Sequence, residues 1–340
     1  MKIDDSFYMK LAIDEAWKYQ LLTYPNPAVG CVVVKNGEIL SIEAHKEAGH
    51  AHAEVNALKA AYLKKNPNDL IKMKKTSHEI HEYLIKNHNG FFEDCEVFVT
   101  LEPCNHIGKT PACAILLKEL KPKRVIIAHK DINKEASGGI ETLKIENIDV
   151  SIGCMEKEAY ELLYPFIKWT SGSFIFFKMA MTLNGCIDGK ISSNQTFAFT
   201  HTLRDKIDLM LIGGNTVRVD KPTLDARYIV GRAPNIFIYS KNKIFDNNIP
   251  LFKVPNRDVI ISDDLFKLLD YKFIMVEGTY TLMETLKERI DYIILLISPK
   301  IRKGLNALNE IDQDFEIIHE NKLGKEKIVY LKRKKIIKKG

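Results

Sequence analysis

Two short segments of the sequence carry side chains that can hold a metal ion and move protons. Residues 50–55 read HAHAEV, residues 100–104 read TLEPC, and a second cysteine follows at position 113. One imidazole and two thiolates give zinc three protein ligands and leave a fourth position for water, whose pKa zinc lowers to about 7. We therefore predict that His52, Cys104 and Cys113 bind Zn²⁺. Glu54 is predicted to be the general acid/base of a hydrolytic deaminase acting on a nucleobase-like ring.

The placement of these residues on predicted helices supports the same chemistry. Residues i and i+2 of a helix point to different sides, so His52 can face a metal while Glu54 faces a substrate. Pro103 suits a helix start, and a helix N-terminus favours a thiolate over a thiol. Zinc deaminases usually show His-x-Glu and Pro-Cys-x-x-Cys. Because eight residues separate the two cysteines here, we expect residues 105–112 to contact the substrate. The alternative imidazole ligands are His50 and His106, and the spacing to Glu54 favours His52.

Strands and helices alternate along the chain, which predicts an α/β protein with helices on both faces of a sheet. Apolar periodicity and the Asn36-Gly37 hairpin signal define the elements. In the first half, helices are predicted over 6–19, 53–63, 111–120 and 156–168, and strands over 29–34, 38–42, 96–101 and 124–128. In the second half, strands are predicted over 174–181, 209–212, 235–239, 259–261, 273–276 and 291–297, with a helix over 282–289. Residues 64–93 are predicted to form a polar helical insertion whose histidines, at 78, 81 and 88, lie on the surface.

Length and composition set the domain organisation and exclude several classes of protein. A chain of 340 residues predicts two domains, which we place at 1–150 and 173–340 with a linker helix over 151–172. No apolar run approaches the roughly 18 residues of a membrane span, and no signal core is visible, so we expect a cytoplasmic protein. Six cysteines in that compartment favour metal binding or burial over disulfides. A net charge of +6 permits an anionic substrate without demanding nucleic acid, and the basic tail over 332–339 is expected to be solvated.

The two segments and their flanks resemble the bifunctional deaminase–reductase family of riboflavin biosynthesis. The matching residues are PNPAVGC at 25–31, AGHAHAEV at 48–55, TLEPCNHIGKTPAC at 100–113, and Asp131, Asn133 and Gly138-Gly139. The eight-residue gap between the cysteines is the one that this family shows. The resemblance implies a cytidine-deaminase-like three-layer α/β/α domain that acts on 2,5-diamino-6-(ribosylamino)-4(3H)-pyrimidinone 5′-phosphate. It implies substrate contacts from Asn26, His45, Lys109 and Thr110.

The second half of the chain resembles the reductase of the same family, itself similar to dihydrofolate reductase. The matching segments are KMAMTLNG at 178–185, GGNTV at 213–217 with the D-x-P-x-L-x-x-R run that follows, and VEG at 276–278. The resemblance implies an α/β domain that uses NADPH to reduce the ribosyl group of the substrate to ribityl. The implied substrate contacts are Thr196, Arg204, Leu224, Arg227 and Glu277, with the two arginines as phosphate ligands. The implied cofactor contacts are Ala180, Ala198, Thr216, Asp220 and Gly278.

Three alternatives stay open at the level of the sequence. The reductase segments depart from the family pattern at Asn184, Ala198 and Thr279, so one alternative is a deaminase with a degenerate second domain. Another is an RNA-editing zinc deaminase. The third is a zinc-binding module without catalysis, which an unligated Glu54 disfavours. The favoured prediction is an enzyme of a small pyrimidine nucleotide, without nucleic-acid or membrane partners, and the resemblance implies self-association into a homo-oligomer.

Overall fold

The computed structural model of the chain describes residues 4–106, 108, 110–133, 135–307 and 312–334. The chain divides into two compact units, Met1–Ile167 and Lys168–Gly340. The division falls inside the helix over Glu156–Ser171, in the segment that the sequence assigns to a linker helix. None of the helices in the described ranges is long and apolar enough to cross a membrane.

A five-stranded mixed sheet forms the centre of the first unit. Its strands are β1 (Gly30–Lys35), β2 (Glu38–Ala44), β3 (Cys95–Leu101), β4 (Arg124–His129) and β5 (Asp149–Ile152), in the spatial order β2-β1-β3-β4-β5. β1 runs antiparallel to β2 and β3, whereas β3, β4 and β5 are parallel. The helices are α1 (Asp5–Trp17), α2 (Ala53–Lys65), α3 (Ser77–Asn87), α4 (Cys113–Leu120), α5 (Gly139–Ile145) and α6 (Glu156–Ser171).

Alternate side chains of these strands cover the two faces of the sheet. On one face, Val33, Val97 and Ile127 pack in a single core with apolar residues of α2, α3, α4 and α5. On the other face, α1 approaches so closely that a Cβ atom at Gly30 would lie 1.9 Å from the carbonyl oxygen of Ala12. Helices therefore cover both faces, and the first unit has the three layers that the resemblance implies.

An eight-stranded mixed sheet forms the centre of the second unit. Its strands are β6 (Phe174–Thr182), β7 (Leu209–Gly213), β8 (Asn235–Tyr239), β9 (Val259–Ser262), β10 (Phe273–Glu277), β11 (Tyr292–Ser298), β12 (Phe315–Leu323) and β13 (Glu326–Arg333). The spatial order is β12-β13-β11-β6-β10-β7-β8-β9, and the pairings from β11 to β9 are parallel. The helices are α7 (Asn194–Lys206), α8 (Gly214–Asp220) and α9 (Tyr280–Thr285). The carboxyl ends of the parallel strands lie at one edge, where open α/β sheets bind ligands.

The structure corrects several sequence-based expectations. His81 is buried, because α3 packs its apolar face against the first core. Helix α7 and the hairpin of β12 and β13 were not predicted. The helix predicted over 282–289 is α9, which begins and ends earlier. Lys332 and Arg333 belong to β13, not to a solvated tail, and residues 335–340 lie outside the described part of the chain.

Candidate metal centre and active site

A histidine and two cysteines from three separate elements meet in the first unit. His52 immediately precedes α2, Cys104 lies three residues beyond β3, and Cys113 is the first residue of α4. His52 Nδ1 lies 3.6 Å from Cys104 Sγ and 3.4 Å from Cys113 Sγ. The three ligand atoms all lie within 4.8 Å of one another. The structure therefore brings together the three residues predicted to bind zinc.

The separations between these atoms fit a tetrahedral zinc site. Zn–S distances of about 2.3 Å and Zn–N distances of about 2.0–2.1 Å place a nitrogen and a sulfur ligand about 3.6 Å apart. The N–H group of Cys113 donates to Cys104 Sγ over 3.4 Å, so the first turn of α4 supports a thiolate at Cys104. Pro103, predicted to suit a helix start, lies instead in the loop between β3 and α4.

The pKa values of the two thiol groups are shifted in opposite directions. A hydrogen bond with Cys113 holds the pKa of Cys104 below its usual range, against the raising effect of burial. The same hydrogen bond, with burial, raises the pKa of Cys113 above its usual range. Because zinc binds both sulfurs as thiolates, loading the site would release the proton of Cys113.

The ring nitrogen of His52 that does not face the two cysteines contacts a hydroxyl group. His52 Nε2 lies 3.3 Å from Thr110 Oγ1. A proton on Nε2 can be donated to this oxygen, which leaves the lone pair of Nδ1 facing the two sulfurs. Thr110, implied by the resemblance as a substrate contact, therefore also orients a predicted metal ligand.

Asn26 and His45, two further implied substrate contacts, are hydrogen-bonded to each other, and the ring of His45 lies next to that of His52. Burial lowers the pKa of His45 to about 4, so its ring is neutral near pH 7. His45 Nδ1 donates to the carbonyl oxygen of Ala51 over 3.1 Å, and Nε2 accepts from Asn26 Nδ2 over 3.1 Å. The rings of His45 and His52 lie edge to face, with centroids 5.3 Å apart. Lys109, the fourth implied contact, lies outside the described residues.

Glu54 lies in the first turn of α2, two residues after His52. Only 4% of its surface is exposed. Burial raises the pKa of this carboxyl group to about 7, in spite of the nearby His52 imidazole. A carboxyl group with a pKa near 7 can both accept and donate a proton at neutral pH.

The two alternative imidazole ligands lie elsewhere. His50 is exposed, and its Nδ1 lies 3.8 Å from Glu47 Oε2. His106 is exposed as well. Neither belongs to the metal-binding group found among the described residues.

Glu102 is a buried carboxylate that sequence reasoning missed. It accepts backbone N–H groups from Asp131, Gly138 and Ile140, at 3.1, 2.9 and 3.2 Å. These bonds fasten the backbone at Asp131 and at 138–140 to the strand end that leads to Cys104. A carboxylate between an apolar strand and Pro103 was the signal that could have identified it, because a buried charge must have partners.

A mostly buried ion cluster lies at the carboxyl edge of the second sheet. Glu277 ends β10 and pairs in register with Lys178 of β6. Its carboxylate accepts from Lys178 Nζ over 3.2 Å and from Arg204 Nη2 over 3.2 Å. Burial alone would raise the pKa of Glu277, but the two cations lower it to about 2. Two implied substrate contacts, Arg204 and Glu277, therefore form a direct ion pair. Lys178, to which the sequence analysis assigns no role, is the second cation bound to Glu277.

We expect Glu277→Gln to destabilise the second unit by about 3 kcal/mol near pH 7, because it leaves two mostly buried cations without their carboxylate. The pKa of Glu277 is lower in the folded chain than in the unfolded chain, so its contribution is complete above the ordinary carboxyl pKa and is lost as pH falls towards about 2. Urea unfolding of the two forms should therefore differ most near neutral pH and converge on acidification. Glu288→Gln, at an exposed glutamate, is the matched control. A pH-independent difference would contradict this account.

The other implied substrate contacts of the reductase lie in different surroundings. Leu224 is buried in the loop after α8, and its carbonyl oxygen accepts from Arg257 Nη1 over 2.6 Å. Arg227 Nε donates over 2.8 Å to the carboxylate two residues before it. Thr196 is buried in α7, and its hydroxyl donates to Glu326 of β13. The structure thus groups Arg204 with Glu277 but gives Thr196 a separate carboxylate partner.

The implied cofactor contacts are spread over three elements and one loop. Gly278 follows β10, and a Cβ atom there would lie 2.9 Å from Leu282 Cδ2. The same Leu282 atom would lie 3.9 Å from a Cβ atom at Gly213, so the ends of β7 and β10 lie close together. Thr216 lies in α8, one turn from the end of β7. The others are Ala180 in β6, Ala198 in α7 and the exposed Asp220 at the end of α8.

Comparison with known proteins identifies relatives along the whole chain. Residues 2–129 match the family described as the cytidine and deoxycytidylate deaminase zinc-binding region. The riboflavin biosynthesis protein RibD of Aquifex aeolicus is 30% identical over 97% of this chain and 98% of its own. RibD of Escherichia coli is 32% identical over 66% of this chain and 57% of its own length.

Solved structures confirm the predicted fold class. A crystal structure of a diaminohydroxyphosphoribosylaminopyrimidine deaminase/5-amino-6-(5-phosphoribosylamino)uracil reductase from Thermotoga maritima matches with a TM-score of 0.64 and 26% identity, over 96% of this chain and 98% of that one. RibD of Acinetobacter baumannii, at 23% identity and a TM-score of 0.64 over 97% and 99% of the two chains, has the same fold. Because the Aquifex relative matches over nearly the full length of both proteins, this chain belongs to the RibD family of bifunctional deaminase–reductases of riboflavin biosynthesis.

Proposed function

We propose that the first unit hydrolytically deaminates 2,5-diamino-6-(ribosylamino)-4(3H)-pyrimidinone 5′-phosphate, and that the second unit reduces the ribosyl group of the product to ribityl with NADPH. The observation that carries the deaminase half is the grouping of His52, Cys104 and Cys113 within reach of one ion. The Thermotoga enzyme, a deaminase and reductase in one chain, matches along almost the whole chain, which supports the presence of both activities in one polypeptide.

In the deaminase, His52, Cys104 and Cys113 would hold zinc, and Glu54 would move the protons. Bound zinc supplies the Lewis acidity that makes water nucleophilic at neutral pH. Glu54 accepts a proton from the attacking water and donates it to the ring nitrogen next to the carbon under attack. A second proton then passes through Glu54 to the exocyclic amine, which leaves as ammonia while the ring carbon becomes a carbonyl. The burial of Glu54 keeps bulk water away from this transfer.

The substrate would be held by Asn26, His45, Thr110 and Lys109. Asn26 and the neutral His45 can hydrogen-bond the edge of the pyrimidinone ring, and their mutual hydrogen bond fixes both before substrate arrives. Lys109 would meet the phosphate as a point charge.

In the reductase, Glu277 and Arg204 would meet the substrate at the carboxyl edge of the second sheet, with Thr196, Leu224 and Arg227. NADPH supplies the hydride. The cofactor would lie along Ala180, Ala198, Thr216, Asp220 and Gly278. The close approach of the strand ends at Gly213 and Gly278 supports this, since backbone without side chains lets a nucleotide phosphate come near.

An assay with the diaminopyrimidine nucleotide tests both halves. We expect one ammonia released for each substrate and one NADPH oxidised for each ammonia. The deaminated intermediate, supplied alone, should consume NADPH without ammonia release. Ammonia without NADPH oxidation would favour the alternative of a deaminase with a degenerate second domain, and failure to release ammonia would reject the proposal.

The proposal also includes a small-molecule substrate rather than RNA, a cytoplasmic location, and self-association of the chain. A reducing cytoplasm would keep the paired thiols of Cys104 and Cys113 available for zinc. An RNA-editing enzyme would bind RNA with a steep dependence on salt, because several phosphate contacts release counterions. We expect no such binding, and sedimentation at varied protein concentration would test self-association.

A further inference from the structure

The buried face of α7 carries two nitrogen atoms that lack a hydrogen-bond partner within the described part of the chain. They are Nδ1 of His201 and Nε of Arg204. His201 is only 4% exposed. The other guanidinium nitrogens of Arg204 are engaged, Nη2 by Glu277 and Nη1 by the carbonyl oxygen of Asp225 at 3.3 Å. The Nε–H group of Arg204 therefore remains as a buried donor beside the ion cluster.

His201 and Arg204 are three residues apart in the sequence, so their side chains lie on the same face of α7. Buried N–H groups are nearly always paired, because an unpaired one forfeits its bonds to water without replacement. An arginine nitrogen can only donate, so the group that completes this face must supply acceptor oxygens. An imidazole nitrogen can donate to the same acceptor in the appropriate tautomer. A ligand that carries more than one acceptor oxygen would therefore satisfy both nitrogens.

The charges around this face favour an anionic ligand. Four cations and two carboxylates surround it: Lys178, Arg204, Arg227 and Arg257 against Asp225 and Glu277. The guanidinium group of Arg257 is held by backbone carbonyl oxygens of the loop at Thr223 and Leu224. The two carboxylates are each engaged by an arginine or a lysine, so the balance of four positive and two negative charges leaves the cluster cationic. A phosphate monoester supplies both the charge and the several acceptor oxygens.

We propose that His201 is a further phosphate-binding residue of the reductase, whose Nδ1 meets the same phosphate monoester as Arg204 Nε. This inference rests on the proposed reductase function and adds a residue to which that function assigned no role. The ring of Tyr228 lies edge-on to His201, with centroids 4.7 Å apart, and Tyr228 is 67% exposed. A side chain on the surface loop thus covers the imidazole, and its rotation would admit a ligand from solvent. The phosphate belongs either to the substrate or to the 2′ position of NADPH.

Three variants on α7 separate a phosphate contact from a packing role. His201→Leu removes both ring nitrogens at similar volume. His201→Asn places an amide group near the position of Nδ1. Thr202→Ala, at the neighbouring residue whose hydroxyl bonds within the helix to the carbonyl oxygen of Ala198, is the matched control. We expect His201→Leu to raise KM for the phosphate-bearing ligand roughly tenfold or more, since hydrogen bonds to charged groups are among the stronger ones. His201→Asn should recover most of this loss, and Thr202→Ala should behave as wild type.

Paired ligands identify the source of the phosphate. If the substrate supplies it, the effect of His201→Leu should vanish with the dephosphorylated substrate and be the same with NADPH and NADH. If the cofactor supplies it, the effect should vanish with NADH instead. Either result supports the proposal. An unchanged KM for both ligands, or an equal loss with and without each phosphate, would overturn it in favour of packing.

Direct titration keeps the test independent of the proposed activity. If the wild-type chain does not oxidise NADPH, the proposed reductase function fails. Binding of inorganic phosphate, measured by calorimetry on wild type, His201→Leu and His201→Asn, then decides whether this face holds a phosphate group. Urea unfolding of each variant reports whether the second unit is intact, and zinc content and ammonia release, which belong to the first unit, should be the same in all of them.

Discussion

Replacing Glu54 with glutamine is expected to lower kcat for ammonia release by about 10²–10⁴-fold. Glutamine has the size of glutamate but can neither accept the proton of the attacking water nor return it to the ring and the leaving amine. Glu54 does not belong to the group of metal ligands formed by the described residues. Bound zinc, measured by metal analysis, should therefore stay at the wild-type level, and KM should change far less than kcat.

Glu38→Gln provides the matched control for this substitution. Glu38 begins β2 and is exposed, with Lys64 and Lys65 as its ion-pair partners. We expect this variant to release ammonia at the wild-type rate, because surface ion pairs contribute little. A Glu54→Gln enzyme with near-normal turnover would remove the carboxyl group from the mechanism. A Glu54→Gln chain without zinc would instead show that Glu54 helps to hold the metal.

The metal centre could be predicted from the sequence because its chemistry is encoded locally. His52 and Glu54 are two residues apart, and Cys104 and Cys113 flank one loop, so residue type and spacing already restrict what these groups can do together. The tertiary contacts that orient these side chains could not be predicted from local spacing. Thr110 orients His52, for instance, only because its hydroxyl lies against the imidazole ring in the folded chain.

Buried polar residues that depend on distant partners escaped prediction for the same reason. Glu102 bonds to N–H groups that lie 29, 36 and 38 residues later in the chain. His201 gains its significance from charges on the loop after α8 and on β10. His81 was expected on the surface because its segment is polar, yet α3 packs against the core and buries it. The periodicity of apolar residues predicts which face of a helix is buried. It cannot identify which polar residue of that helix will be buried as well.

The elements missed in the second unit have weak local signals. α7 is rich in threonine and phenylalanine, which have modest helix propensity, and Ser193 caps it by accepting the N–H group of Thr196. β12 lies at the edge of the sheet and, among the described strands, pairs with β13 alone. An edge strand buries few side chains, so its sequence lacks the apolar run that identified β6, β10 and β11.

Substituting Cys104 with alanine is expected to remove most of the bound zinc and to abolish ammonia release. A site with three protein ligands that loses one retains two, and His52 and Cys113 alone cannot complete a tetrahedral site without recruiting more solvent. Metal analysis after gel filtration measures the loss. Oxidation of NADPH with the deaminated intermediate should continue at the wild-type rate, because the groups assigned to that step belong to the second unit.

Cys154→Ser is the matched control, since Cys154 is a half-buried free cysteine of the same unit outside the metal-binding group. It should keep both zinc and ammonia release. A chelator should reduce wild type to the activity of Cys104→Ala, and added zinc should restore wild type but not the variant. Zinc retained in Cys104→Ala at the wild-type level would contradict the assignment of the ligand. Together with Glu54→Gln, this result separates metal binding from proton transfer within one site. Loss of Cys104 removes the metal and with it the nucleophile. Loss of the Glu54 carboxylate leaves the metal in place and removes only the path of the protons.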